Sequence, residues 1–464
     1  MSDTPLWTSA EITAATGGQL HGAPFDIADL SIDTRSLKAG DLFVALSGAR
    51  DGADFAPQAF AAGAAATLIA RPVEGGPYIL VDDALLALNR LAAAARDRST
   101  AKRCAVTGSV GKTSVTQAIA AGLAEAGPSH APVKSFNNHI GVPLTLARMP
   151  TATGRAVFEL GMNHADEIRP LSELVRPHVA VITTVGPVHT ENFPDGEAGV
   201  ARAKAEIFDG LAPGGIAILN ADNAWFDLLN TAAKARGAQV LTFGADARCD
   251  AQLISFTRTA AGAVIGARLQ GEPLEFPLAQ TGAHWGPNSL ATLLALLALD
   301  VTRDQALAAL AEFAPLAGRG AAQAVAIDGG QIVLIDESYN ANPLSMAAAL
   351  KTLGAHPTRG RRLAVLTDML ELGEDAPRLH AALAAPIDAA QVDLVFCAGP
   401  LMAALWDALP THRRGGYAQT AEALIPLLMK AVRAHDLVMI KGSNGSKASR
   451  LVAALRSVAE GAPG

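Results

Sequence analysis

The chain has 464 residues, which at about 100–200 residues per domain implies two to four domains. Its 37 Lys and Arg against 44 Asp and Glu give a net charge of −7, which excludes a general nucleic-acid binder, because that role needs a basic face to displace counterions. Hydrophobic residues make up 50% and charged residues 17%, which excludes long disorder. The mean hydropathy of +0.25 raises the question of a membrane. The strongest apolar run, Ser289 to Leu299, stops at Asp300, short of the roughly 20 residues that span a bilayer. The start, Met1-Ser2-Asp3-Thr4-Pro5, lacks the basic-then-apolar order of a secretory signal. Cys104, Cys249 and Cys397 lie far apart with no metal-ligand spacing, so they read as buried thiols in a reducing compartment. Composition therefore points to a cytoplasmic α/β protein of several domains without membrane insertion.

The first part of the chain reads as strands at Asp41 to Leu46, Ala66 to Ile69 and Tyr78 to Val81, with helices at Ala56 to Gly63 and Leu85 to Arg96. The charged stretch Arg96-Asp97-Arg98 marks a boundary, giving a first domain over 1–97. A strand at Lys102 to Thr107 then enters a Gly-rich turn and a helix from Ser114 to Ala126. Short apolar runs at Ala156 to Glu159, Val179 to Thr183 and Ile216 to Asn220 read as strands buried on both faces of a parallel sheet. The segment Thr242 to Pro277 alternates and predicts a small antiparallel excursion, and Ser289 to Leu299 predicts a helix. The Pro- and Gly-bearing stretch Ala314 to Gly320 ends a central domain over 98–314. Strands at Ile332 to Asp336, Leu363 to Thr367, Leu394 to Ala398 and Leu437 to Ile440 give 315–464 a Rossmann-like pattern. It has no Gly-x-Gly-x-x-Gly fingerprint, so a dinucleotide site is not expected there.

The most informative segment is Thr107-Gly108-Ser109-Val110-Gly111-Lys112-Thr113, followed by Ser114. A Gly-rich turn at a helix N-terminus cradles an anion with its backbone amides. Lys112 would reach the outer phosphates and the Thr113 hydroxyl would bind Mg²⁺. The strict phosphate-loop pattern fails at its first position, Val106, so this is a Thr-Gly-x-x-Gly-Lys-Thr variant. The loop alone leaves a GTPase, a kinase, a motor or a ligase open. Glu159, at the end of a buried strand, is costly unless it meets a cation or a donor; a Mg²⁺ ligand is the favoured reading and a helix cap the alternative. His189 follows the next strand, on the same sheet edge, as a candidate metal group. Lys204, on the helix that runs on to Phe208, reads on its own as a surface lysine paired with a nearby carboxylate.

Taken together, these segments resemble the Mur ligase family, which builds the peptide of bacterial cell-wall precursors, and the resemblance covers essentially the whole chain. Asp33-Thr34-Arg35 through Leu46 is similar to a UDP-sugar-binding N-terminal domain of that family, and Asn137-Asn138-His139-Ile140-Gly141 to one of its central segments. Glu159 to Asn163, Asp336 to Pro343 and Lys441-Gly442-Ser443 are similar to the branch that adds D-alanyl-D-alanine to UDP-N-acetylmuramoyl-tripeptide. The resemblance implies a small α/β UDP-binding N-domain, a central P-loop parallel-sheet ATPase domain and a C-terminal Rossmann-like domain. It implies ATP held by Thr107 to Ser114, two Mg²⁺ ions at Thr113, Glu159, His189 and Lys204, and a CO₂-derived carbamate on Lys204. Lys112, Lys204, His189 and Glu159 would be the catalytic set. Asn288 and Arg319 would contact the nucleotide, and Asp336 or Glu337 the ribose, Asp336 being preferred.

Trp285 stands where the family's adenine-side motif has Asn, and for Asn288 a helix cap is the competing reading. Asp33, Thr34, Arg35, Asn137, Asn138 and His139 would bind the UDP-linked tripeptide. Tyr339, Asn340 and Asn342 would line the cleft, with turn chemistry as the alternative. Asp368 and Glu371 would face the incoming amine. A monomer is the family's default. Folylpolyglutamate synthetase-like chemistry is disfavoured by the residues ahead of Thr107, a GTPase by the lack of an Asn-Lys-x-Asp signal, and a non-catalytic nucleotide-binding scaffold by the full candidate set.

Overall fold

The computed structural model describes residues 4–461 apart from 134, 189 and 260. Three main sheets, with helices packed on them, follow one another along the chain. The first has five strands in the order Gln19–His21, Tyr78–Leu80, Ala66–Ile69, Leu42–Val44 and Leu30–Ser31, all parallel except the outermost Gln19–His21. The central sheet has nine strands. Its parallel part places Lys102–Thr107 between Arg155–Glu159 and Val179–Ile182, then continues through Ile216–Asn220 and Gln239–Gly244. The strands Ala251–Thr259, Gly262–Leu269 and Glu272–Leu278 add the antiparallel excursion that the alternation predicts. The third sheet has six strands, five of them parallel, with Ala321–Ile327 antiparallel at one edge.

The apolar runs are strands because they are buried on both sides. Every residue of Val179–Ile182 and of Leu437–Lys441 is buried, which only a sheet covered by helices on each face allows. Two helices begin earlier than their sequences suggest. Lys112–Glu125 starts at Lys112 because Gly111 takes the left-handed conformation (φ +85°) at its cap and turns the chain directly into the first helical turn. Trp285–Ala298 starts before Ser289 because Pro287 falls in the first turn, where its missing N–H has no intrahelical partner to lose. Asn288 therefore lies inside that helix and is not its cap.

The cores do not follow the sequence divisions. One apolar cluster runs from Trp7, Leu88 and Leu91 through Val142, Leu146 and Phe158 to Phe208, so the first and central sheets share a core. The helix Ala84–Asp97 is the common wall, packed against Gly141–Ala147 and Ile168–Val175. Polar ties cross the same seam: Trp7 Nε1 donates to Ala147 O (2.9 Å), and Arg148 Nε donates to Leu30 O (2.8 Å). The third sheet has clusters of its own. Among the described residues no helix is long and apolar enough to cross a membrane.

Because Leu91 is fully buried in the shared core, Leu91→Ala removes contacts from both sheets at once. A loss of about 2–5 kcal/mol is expected from such a truncation. Urea unfolding followed by far-UV circular dichroism should show the first and central units shifting together, with the third sheet's transition unmoved.

Candidate active site

The phosphate loop sits at the carboxyl end of Lys102–Thr107, the edge at which open parallel sheets bind ligands. Gly108 has φ +151°, and a Cβ there would lie 2.0 Å from Thr183 Oγ1, so no larger residue fits. Ser109 pins the loop to the neighbouring 183–186 turn: its N–H donates to Thr184 O (2.8 Å), and its hydroxyl both donates to Gly186 O and accepts from Gly186 N (each 3.1 Å). Lys112 folds back and donates from Nζ to Gly108 O (2.8 Å). Ser109 to Ser114 line a cleft of about 340 Å³, with the N-terminal amides of Lys112–Glu125 at its floor. Thr107 lies beneath the loop, buried, and does not line the cleft.

Glu159 ends its strand in register with Val106, directly beside the loop. Its side chain is 1% exposed. Oε1 accepts from Ser135 Oγ and Asn137 Nδ2 (both 2.7 Å), whereas Oε2 is buried with no partner among the described residues. Thr113 Oγ1 lies 3.2 Å from the same Ser135 hydroxyl. An unpartnered buried carboxylate oxygen beside a threonine hydroxyl is a hard, all-oxygen donor set of the kind Mg²⁺ takes. No cluster of three or more His, Cys, Asp or Glu among the described residues holds a metal by itself. A cation here therefore needs phosphate oxygens and water to complete its shell, as Mg²⁺ usually does.

Lys204 is not the surface lysine its helix pattern suggests. It is 2% exposed. The nearby carboxylate of Glu206 is committed elsewhere, accepting from the N–H groups of Asp166 (2.7 Å) and Arg169 (3.1 Å). Burial, and then the positive charge of Lys112, push the Lys204 pKa well below the ordinary lysine value. His189 lies outside the described residues.

The opposite wall comes from the third sheet. Gly330–Glu337 and Leu437–Lys441 run parallel with Glu337 beside Lys441. Lys441, 2% exposed, donates to Glu337 Oε2 (3.2 Å) and Asn340 O (2.9 Å), and both side chains line the cleft. This corrects the choice of Asp336. Adjacent strand residues point to opposite faces, and Asp336 turns away, accepting from Ser338 N and Oγ and from Arg456 Nη2. Arg319 stacks over the Tyr339 ring, its Cζ 4.2 Å from the centroid, and both line the cleft with Asn340. Asn342 lines it too while capping Pro343–Ala355 through Ser345 N (2.9 Å), so the turn reading and the cleft reading both hold. Asn288 faces the cleft from the central domain, while Trp285 is turned into the core against Phe313, ring centroids 5.5 Å apart.

Other expected residues lie apart. Asp33 and Arg35 pair with each other (2.7 Å) on the first domain, and neither they nor Thr34 line the cleft. Of the Asn137-Asn138-His139 run only Asn137 reaches it; Asn138 caps Ile140 and Gly141, and His139 is exposed. Asp368 is buried, accepting from Met402 N (2.9 Å), and neither it nor Glu371 lines the cleft. Sequence reasoning missed a role for Ser135, which lies in an aperiodic stretch and meets Thr113 and Glu159 only through the fold, and for Lys441, whose strand gives no sign that its end faces another domain.

Gly108→Ala should distort the loop through the collision with Thr183. The strain of order 1–3 kcal/mol corresponds to a loss of about 5- to 150-fold in ADP affinity. Isothermal titration with ADP measures the loss, and an unchanged circular dichroism spectrum shows that the fold is kept.

Comparison with known proteins gives the same picture over the whole chain. Three domain families match in order: Mur ligase family, catalytic domain, over residues 26–96; Mur ligase middle domain over 106–296; and Mur ligase, glutamate ligase domain, over 322–444. The chain is 36% identical over 454 residues to the UDP-N-acetylmuramoyl-tripeptide–D-alanyl-D-alanine ligase of Escherichia coli (strain K12), covering 97% of this chain and 98% of that protein. It is 33% identical over 432 residues to the enzyme of the same name from Bacillus subtilis (strain 168), covering 91% of this chain and 92% of that one. Its structure superposes on the crystal structure of MurF from Acinetobacter baumannii with a TM-score of 0.85 at 27% identity, covering 97% and 99% of the two chains. The chain belongs to the Mur ligase family.

Proposed function

We propose that this chain is the ATP-dependent ligase that joins D-alanyl-D-alanine to UDP-N-acetylmuramoyl-tripeptide in peptidoglycan precursor synthesis. The observation that carries this reading is the meeting of two parallel-sheet edges at one cleft, with a phosphate loop on one wall and the Arg319–Tyr339 and Glu337–Lys441 pairs on the other. The full-length likeness to two ligases of that name supports it.

A carboxylate does not condense with an amine in water. In this reading the terminal carboxylate of the tripeptide attacks the γ-phosphorus of ATP, ADP leaves, and an acyl phosphate forms. The free amine of the dipeptide then attacks the acyl carbon, and the tetrahedral intermediate collapses with loss of inorganic phosphate and a proton. Lys112 and the amides of Gly108 to Ser114 hold the phosphates, and Asn288 and Arg319 hold the nucleoside end. Thr113 and Glu159 would hold Mg²⁺, which when bound neutralises charge on the transferring phosphoryl group.

A second cation would be held by Lys204 as its carbamate, with His189 assigned beside it from the family resemblance. Burial and the charge of Lys112 favour the neutral amine of Lys204, and a neutral amine is the form that adds CO₂ and releases a proton. Residues 1–97, with Asp33, Thr34 and Arg35, take the UDP end, with Asn137, Asn138 and His139 nearer the peptide. Residues 98–314 take ATP. Residues 315–464 bring the amine, with Tyr339, Asn340 and Asn342 on the cleft. Closing these walls keeps water from the acyl phosphate.

Phosphate release from ATP should need both UDP-N-acetylmuramoyl-tripeptide and D-alanyl-D-alanine; release that ignores the dipeptide sinks the assignment. Lys204→Ala should abolish product formation, and ¹³C NMR with labelled bicarbonate should show a carbamate signal in the parent protein that the variant lacks. A variant of undiminished rate refutes the role given to Lys204.

A further inference from the structure

One hydroxyl decides how both oxygen donors of the candidate cation site face. Ser135 Oγ lies within hydrogen-bond distance of Glu159 Oε1 (2.7 Å), Asn137 Nδ2 (3.2 Å) and Thr113 Oγ1 (3.2 Å). A serine hydroxyl has one hydrogen to donate and two lone pairs to accept with. The Asn137 amide nitrogen only donates, and an ionised carboxylate only accepts, so the single Ser135 hydrogen goes to Glu159 and one lone pair takes the Asn137 N–H. The remaining lone pair faces Thr113, and Thr113 must therefore be the donor in that contact. Its own hydrogen is thereby turned toward Ser135, and both lone pairs of Thr113 Oγ1 are left free. At the same time Glu159 Oε1 is held by Ser135 and Asn137 together, while Oε2 stays buried and unpartnered among the described residues.

We propose that Ser135 is a positioning residue that sets the hydrogen direction of Thr113 and the free oxygen of Glu159 for a divalent cation. This rests on the reading of Thr113 and Glu159 as the cation's protein donors. Groups that orient metal ligands in this way are worth about 10–100-fold in metal affinity. Ser135→Ala removes both effects: Thr113 becomes a free rotor, and Glu159 Oε1 keeps one donor of two. Ser135→Thr keeps the hydroxyl.

The test is Mn²⁺ binding to the full chain with saturating ADP, read by electron paramagnetic resonance, beside ADP binding without metal, read by calorimetry. Ser135→Ala should weaken Mn²⁺ by about 10–100-fold and leave metal-free ADP affinity unchanged, and Ser135→Thr should restore Mn²⁺ binding. Parent-like Mn²⁺ affinity in Ser135→Ala overturns the proposal, as does an equal loss of metal-free ADP binding, which would mark general collapse of the loop. If the parent protein itself fails to bind Mn²⁺ with ADP, the cation site is refuted instead.

Discussion

Lys112 lines the cleft beside Glu159, whose Oε2 has no partner among the described residues, and Lys204 lies buried close enough to feel the Lys112 charge. Burial, and then the positive charge of Lys112, push the Lys204 pKa down. Arg319 adds a positive charge toward Lys112 from the other wall, while Glu159 draws the Lys112 pKa the other way. Such a site is incomplete by itself. It has an excess of positive charge toward which a polyphosphate is drawn, and one carboxylate oxygen toward which a cation is drawn. A chain with a net charge of −7 cannot attract ATP and a UDP-sugar by bulk charge, so this local imbalance does the work.

The fold makes the imbalance tolerable by fixing its members on rigid elements. Thr113 lies in the first turn of the helix that follows Lys102–Thr107, Glu159 ends the strand paired with it, and Glu337 and Lys441 end neighbouring strands of another sheet. The two carboxyl edges face each other across the cleft, so anything bound there touches both. The turn after Val179–Ile182 links them further. Gly186 exchanges hydrogen bonds with Ser109 of the phosphate loop, and a Cβ on Gly186 would lie 2.1 Å from Leu344 Cδ1 of the third domain. Loop shape and inter-domain contact thus meet at one glycine.

Much of this was legible from the chain alone. The strands Lys102–Thr107, Ile216–Asn220 and Leu394–Ala398 stand where their apolar runs put them, because a strand buried on both faces has no polar alternation to blur its limits. The phosphate loop was visible because its function is carried by consecutive residues. Lys204 was misread because helix spacing cannot reveal that Glu206 spends its carboxylate on two backbone amides. Asp336 was preferred to Glu337 because the strand's phase relative to the cleft is set by its pairing with Leu437–Lys441, which no local pattern encodes. Ser135 was invisible for the same reason: Thr113 and Glu159, the two donors it orients, lie 22 and 24 residues away.

The central claim is that the cleft activates a carboxylate by phosphorylating it. The most direct measurement places ¹⁸O in the terminal carboxylate of UDP-N-acetylmuramoyl-tripeptide and follows it through one turnover with ATP and D-alanyl-D-alanine. The account predicts inorganic phosphate carrying a single ¹⁸O from that carboxylate. Phosphate released without the label, alongside ligated product, would contradict it.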